Sequence, residues 1–189
     1  SNKKIIYSVL FKAMSETLIE VGERRLNAKL GFTAILHTWG QNLNYHPHVH
    51  AIVPGGGLSF RDSNKWISGR RNYLLPLKVL STVFRGKFLN YLEESFDKLI
   101  FPGHIEKYKD KKIFKNLTIE TAKKNWVVYA KAPLAGPKQV IDYLGNYTHR
   151  IAISNRRLLK MENETVSFMY QDRANGNQKK TMELHALEF

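Results

Sequence analysis

The chain has no cysteine in its 189 residues. That excludes a disulfide framework and any zinc site built on thiolates. It also lacks an apolar run of the length a bilayer-crossing helix needs, about 20 residues. No secretory leader is visible at its start. Acidic side chains are scarce: 16 Asp and Glu stand against 30 Lys and Arg, for a formal charge of +14. An excess of this size speaks about partners rather than fold, and a polyanion is the expected one. A membrane surface is anionic too, but nothing in the chain reads as membrane-bound. The lack of cysteine is compatible with a cytoplasmic protein. Internal repeats and low-complexity segments are missing as well.

What is present reads as one domain over residues 1–189. Hydrophobic residues make up 43%, enough for a core at this length. Ile5, Ile6, Val9, Leu10, Ala13, Met14, Leu18 and Val21 recur at helical spacing and predict a helix over 3–24. Residues 32–39 read as a strand, 40–44 as a turn and 48–53 as a returning strand. Pro54 to Gly57 reads as a glycine turn. Short strand pieces follow at 58–60 and 66–67. A second amphipathic helix is expected over 76–99, with Pro76 in its first turn. Residues 104–115 read as a solvated connection, 118–124 as a short helix and 126–131 as a strand. Pro137 opens a helix that runs to about 149. A strand beginning at Ile151 and a hairpin around Asn175-Gly176 complete the chain. The order of helices, hairpins and strand suggests an α+β fold, a central antiparallel sheet with flanking helices.

The most informative stretch is Tyr45-His46-Pro47-His48-Val49-His50, which holds three of the seven histidines. Residues two apart on a strand share a face, so His48 and His50 stand side by side with Val49 turned away. Two imidazoles on one strand form half a site for a divalent metal. His46 has the same parity, although Pro47 could bend the backbone between them. His37 reads as an ordinary strand residue. Alternating polar residues often mean only a wet sheet face, so the pattern needs a partner elsewhere. Tyr143 and Tyr147 supply one, four residues apart on one helix face. A His-x-His strand, paired tyrosines and a basic chain together suit metal-assisted transesterification of DNA by tyrosine.

With these residues the chain resembles the rolling-circle transposases of bacterial insertion sequences, the two-tyrosine branch of the HUH (histidine, hydrophobe, histidine) nucleases. The resemblance runs along His37–His50, Val53–Gly57 and Tyr143–Arg157. Residues 60–125 carry no strong matching motif. The family's N-terminal zinc module and C-terminal extension are absent from the sequence, which looks like a catalytic core. The resemblance implies a ferredoxin-like fold with the histidine strand at the centre of the sheet. It implies a metal-dependent single-stranded DNA endonuclease and strand transferase, with Tyr143 and Tyr147 as nucleophiles. Each cut would form a 5′-phosphotyrosine and free a 3′-hydroxyl. The expected metal is Mg²⁺ or Mn²⁺, with another divalent ion such as zinc or nickel also acceptable to imidazole ligands, and no further small-molecule cofactor. The expected partners are single-stranded transposon ends and target DNA in a bacterial cytoplasm. Related replication initiators draw a third ligand from just upstream of the histidine pair, which makes Gln41 a candidate beside His46.

Arg70 and Arg71 lie among Lys65, Trp66 and Tyr73, a mixture suited to phosphates and stacked bases. Arg150, Arg156 and Arg157 follow the tyrosine helix and are further candidate phosphate contacts. A plasmid replication initiator or relaxase would share this chemistry. A non-cutting DNA-binding module would share only the charge, and a metal hydrolase acting on small substrates would have little use for it.

Overall fold

The first helix, α1 (Lys3–Leu26), forms where the periodicity predicts. It ends because Asn27 turns left-handed at φ 54° and returns its N–H to the carbonyls of Glu23 and Gly22. Val9, Ala13, Thr17 and Val21 form its buried stripe. The structure is a computed structural model that describes residues 2–62, 64–134, 136–148, 153–172 and 175–189, without the side chains of 146–148. It is an α+β protein with antiparallel strands in three sheets, and it divides into two compact units. One comprises Ser1–Ala34 with Ala51–Pro133, the other Ile35–His50 with Leu134–Phe189.

In the first unit, α2 (Leu77–Glu94) lies against α1. Pro76 caps it from extended backbone just outside its first turn. Lys87 bridges to Glu16 and Glu20 of α1 at 3.3 and 3.0 Å, and the Tyr91 hydroxyl donates to Glu16. These bonds lower the Glu16 carboxyl and raise the Tyr91 phenol from their ordinary pKa values. Val21, Leu30, Leu75 and Leu80 form the buried core of this unit.

Its sheet runs β1 (Ala28–Lys29), β4 (Gly56–Ser59), β5 (Trp66–Ser68), with β4 in the middle. Two glycines expected in a turn therefore belong to a central strand. A Cβ added at Gly56 would stand 2.3 Å from the carbonyl oxygen of Ile67, and one at Gly57 would stand 2.4 Å from that of Lys29. The backbone that approaches these glycines is the protein's own.

Two further expectations are corrected in this unit. The supposed solvated connection contains a 3₁₀ turn (Gly103–Lys109), and α3 (Lys111–Lys123) starts seven residues before the predicted 118. Asp110 starts it by accepting from the N–H groups of Lys112 and Ile113 at 2.7 and 3.0 Å. Residues 126–131 are not a strand. The alternation is still there: Val127 and Tyr129 are 82% and 77% exposed, while Val128 packs on the core. Trp126 packs on Phe84 and Phe88, and its carbonyl accepts from the Ser81 hydroxyl. The segment is laid over α2 instead of joining a ladder.

The second unit holds most of a hairpin, β2 (Thr33–Trp39) and β3 (Tyr45–Ile52), a two-stranded sheet closed by Gly40–Asn44. It also holds α4 (Pro137–Thr148) and the sheet β6 (Leu158–Glu162), β7 (Thr165–Asp172), β8 (Gln178–His185). The last two strands are the predicted hairpin. β6 was not foreseen, and the strand expected from Ile151 is replaced at Asn155–Arg157 by a 3₁₀ turn; Ile151 and Ala152 lie outside the described residues. Val166 and Phe168 of β7 are buried, with the Phe189 ring 5.8 Å from that of Phe168.

Candidate functional site

β3 begins at Tyr45 rather than at His48, so Pro47 lies within the strand. A two-stranded sheet has only edge strands, and an edge tolerates a residue with no N–H. His46, His48 and His50 remain neighbours along one side, with ring centres 5.1 Å apart for the first pair and 4.8 Å for the second. The hairpin then adds a histidine that the sequence reading passed over. The His37 ring of β2 is centred 4.5 Å from His50 and 5.6 Å from His48.

Ligating nitrogens of His37, His48 and His50 all lie within 4.8 Å of one another, each residue half-buried. The separation is that of donors around one ion, and the donor set suits a borderline divalent metal. His46 is exposed and falls outside this group. Its carbonyl instead lies 2.7 Å from Nδ1 of His48. A carbonyl only accepts, so the contact suits the tautomer protonated at Nδ1, which leaves the Nε2 lone pair for a metal. Gln41 lies in the loop after β2, where its carbonyl accepts from the Arg157 guanidinium. Leu43 in the same loop holds a left-handed φ of 62°, uncommon for such a side chain.

α4 begins at Pro137, as predicted, and the N–H of Val140 reaches back to the Gly136 carbonyl. One turn further on, the Tyr143 hydroxyl lies 3.2 Å from Nδ1 of His50. The tyrosine helix and the histidine strand thus meet through named atoms. Tyr147 is in the same helix by its backbone, and its side chain lies outside the described residues.

A profile of the family Y2_Tnp, described as "Putative transposase", matches residues 31–189. The chain belongs to this transposase family. "Putative transposase y4qJ" of Sinorhizobium fredii (strain NBRC 101917 / NGR234) is 46% identical over 192 residues, covering 100% of the chain and 48% of the relative. The transposase for insertion sequence element IS801 of Pseudomonas savastanoi pv. phaseolicola is 26% identical over 180 residues, covering 94% of the chain and 42% of the relative. The chain therefore spans about half the length of the curated relatives it matches. No solved structure matches it. No helix among the described residues is long and apolar enough to cross a membrane.

The arginines expected at DNA occupy different settings. Arg70 and Arg71 are exposed in the loop after β5, in the first unit. Arg150 lies outside the described residues, and Arg156 is exposed in the 3₁₀ turn. Arg157, expected at a phosphate, has other partners. Its Nε donates to the Met169 carbonyl at 2.7 Å, another nitrogen donates to Gln41, and the group lies over the Phe168 ring. Burial pushes its guanidinium below the ordinary value. Arg157 thus braces the β2–β3 loop against β7.

Proposed function

We propose that the chain is the cutting and joining core of a transposase that acts on single-stranded DNA. Tyr143 is the first nucleophile in this reading, and its 3.2 Å approach to Nδ1 of His50 is the observation that carries it. The histidine cluster alone would suit many metalloproteins. A phenol held against one of its rings suits transesterification.

His37, His48 and His50 would hold the divalent ion, Mg²⁺ or Mn²⁺, and three imidazoles favour the latter. When bound, it would polarise the scissile phosphate and offset its charge. In the tautomer of His50 protonated at Nδ1, that nitrogen would donate to the Tyr143 oxygen. The Tyr143 oxygen is then the acceptor, and negative charge on it is stabilised as it forms. Tyr143 gives up its proton to water, its oxygen attacks phosphorus, the P–O3′ bond breaks, and the 3′ oxygen takes a proton from water and leaves as a hydroxyl. The phosphotyrosine retains the energy of the broken bond, so a 3′-hydroxyl can displace the tyrosine without ATP. Tyr147, on the same helix, would serve the second attachment.

The test is a covalent-adduct assay with labelled single-stranded DNA from the element ends and Mn²⁺ or Mg²⁺. A shifted band on a denaturing gel is expected, lost in His48→Ala and in the Tyr143→Phe/Tyr147→Phe double variant. Tyr143→Phe alone should abolish the first adduct. An undiminished adduct in the double variant would refute the tyrosine mechanism.

A further inference from the structure

A groove of about 340 Å³ opens on the first unit, with Arg25, Arg70 and Tyr73 among its lining and Leu26, Leu74 and Val79 beside them. The first three are exposed and the last three half-buried, so the groove has a polar rim and an apolar bed. Among the described residues no acidic side chain lines it. On the neighbouring helices, Arg24 pairs with Glu20, and Lys87 with Glu16 and Glu20. Neither Arg25 nor Arg70 joins an ion pair among the described residues.

The rim is held in shape. Tyr73 donates its N–H to the Arg70 carbonyl at 3.0 Å, and the two residues form an isolated antiparallel bridge. Between them Asn72 turns left-handed at φ 60°, a conformation asparagine tolerates. Leu75, two residues on, is buried in the core. Arg70 and Tyr73 therefore stand on an anchored turn, and Arg25 on the last turn of α1.

We infer that this groove binds one unpaired nucleotide of a DNA strand, with Arg25 and Arg70 on its phosphates and its base on the Tyr73 ring. This rests on the single-stranded DNA reading above and uses none of the histidine-site residues. Charge complementarity selects a polyanion. The exposed ring, 51% accessible, selects an unpaired base, since a base in a duplex is stacked already and offers no face. The volume lies near the lower end of small-ligand sites, which span roughly 300–1,000 Å³.

Fluorescence anisotropy with a labelled single-stranded oligonucleotide, in EDTA, tests this on the full chain. Arg25→Ala/Arg70→Ala should weaken binding about tenfold or more and flatten the dependence of log K on log salt by about 1.4, at about 0.7 per phosphate contact. Tyr73→Ala should weaken it at least about fivefold, and Tyr73→Phe, which keeps the ring, should bind within about twofold of wild type. The charge-matched control Lys4→Ala/Lys98→Ala, outside the groove, should keep most of the affinity. Wild-type affinity in Tyr73→Ala, or an equal loss in the control and the arginine variant, would overturn the groove and leave the transposase reading standing. A wild-type chain that bound no single-stranded DNA would overturn both.

Discussion

The imidazoles of His37 and His50 lie 4.5 Å apart between ring centres, one on each strand of the β2–β3 hairpin. That relationship places His37 where it could be a third donor beside His48 and His50. Replacing His37 with alanine should reduce Mn²⁺ affinity by at least about 100-fold, since loss of an outer-shell partner alone typically costs 10–100-fold. His46→Ala keeps the backbone carbonyl that faces His48, and Gln41→Ala keeps the carbonyl that faces Arg157; both should change affinity little. Calorimetric titration of the three variants decides the ligand set.

Arg157→Ala would leave the Met169 and Gln41 carbonyls without their cationic donor. The expected loss of stability is about 1–3 kcal/mol, read as a lower urea midpoint. Lysine should not restore it, because one ammonium cannot reproduce the planar fork that reaches both oxygens. Full stability in Arg157→Ala would remove the bracing role.

Gly145 sits inside α4 between the two tyrosines, and a Cβ there meets nothing within 4 Å among the described residues. Alanine should therefore raise helix stability by about 1 kcal/mol. If DNA backbone presses on this turn of the helix, cleavage should fall even as the melting temperature rises. Unchanged cleavage in the stabilised variant would remove that contact.

Asp172 accepts from Lys180 and Asn175 across the last hairpin, and these bonds lower its carboxyl to about 2. A folded-state value below the unfolded one adds stability at higher pH. That contribution is whole above about pH 4 and fades as the pH falls toward about 2. Asp172→Asn should melt below wild type at pH 6, and the two curves should converge by pH 2. A gap that stayed constant with pH would remove the ionised carboxylate as its cause.

Much of this was legible from local pattern. The apolar stripe of α1, the proline at the start of α4 and the alternation of His48 and His50 each follow from a period or a backbone constraint within a few residues. His37 was not legible in that way, because its neighbours lie on another strand and hairpin register depends on loop geometry. The available signal was simply that it lies on the first strand of that hairpin. Asp110 gave a readable helix start that the surrounding lysines obscured. The stretch after Lys124 shows the limit of alternation: Trp126 and Val128 turn inward as a strand's would, but a ladder also needs an unpaired neighbour, which no local pattern reports. Arg157 reads from the sequence as a candidate phosphate contact, while the two carbonyls it donates to are supplied by tertiary structure.

The paired glycines of β4 bear on how mutants of this protein would be interpreted. Any side chain at Gly56 or Gly57 collides with a carbonyl of an adjoining strand, so substitution there would force the sheet apart. On the proposed function, a genetic screen scored only by transposon movement would recover such substitutions as inactive and rank them beside changes at His48 or Tyr143. The two kinds of defect would separate in the amount of intact protein recovered: scarce for the glycine variants, ample for the others.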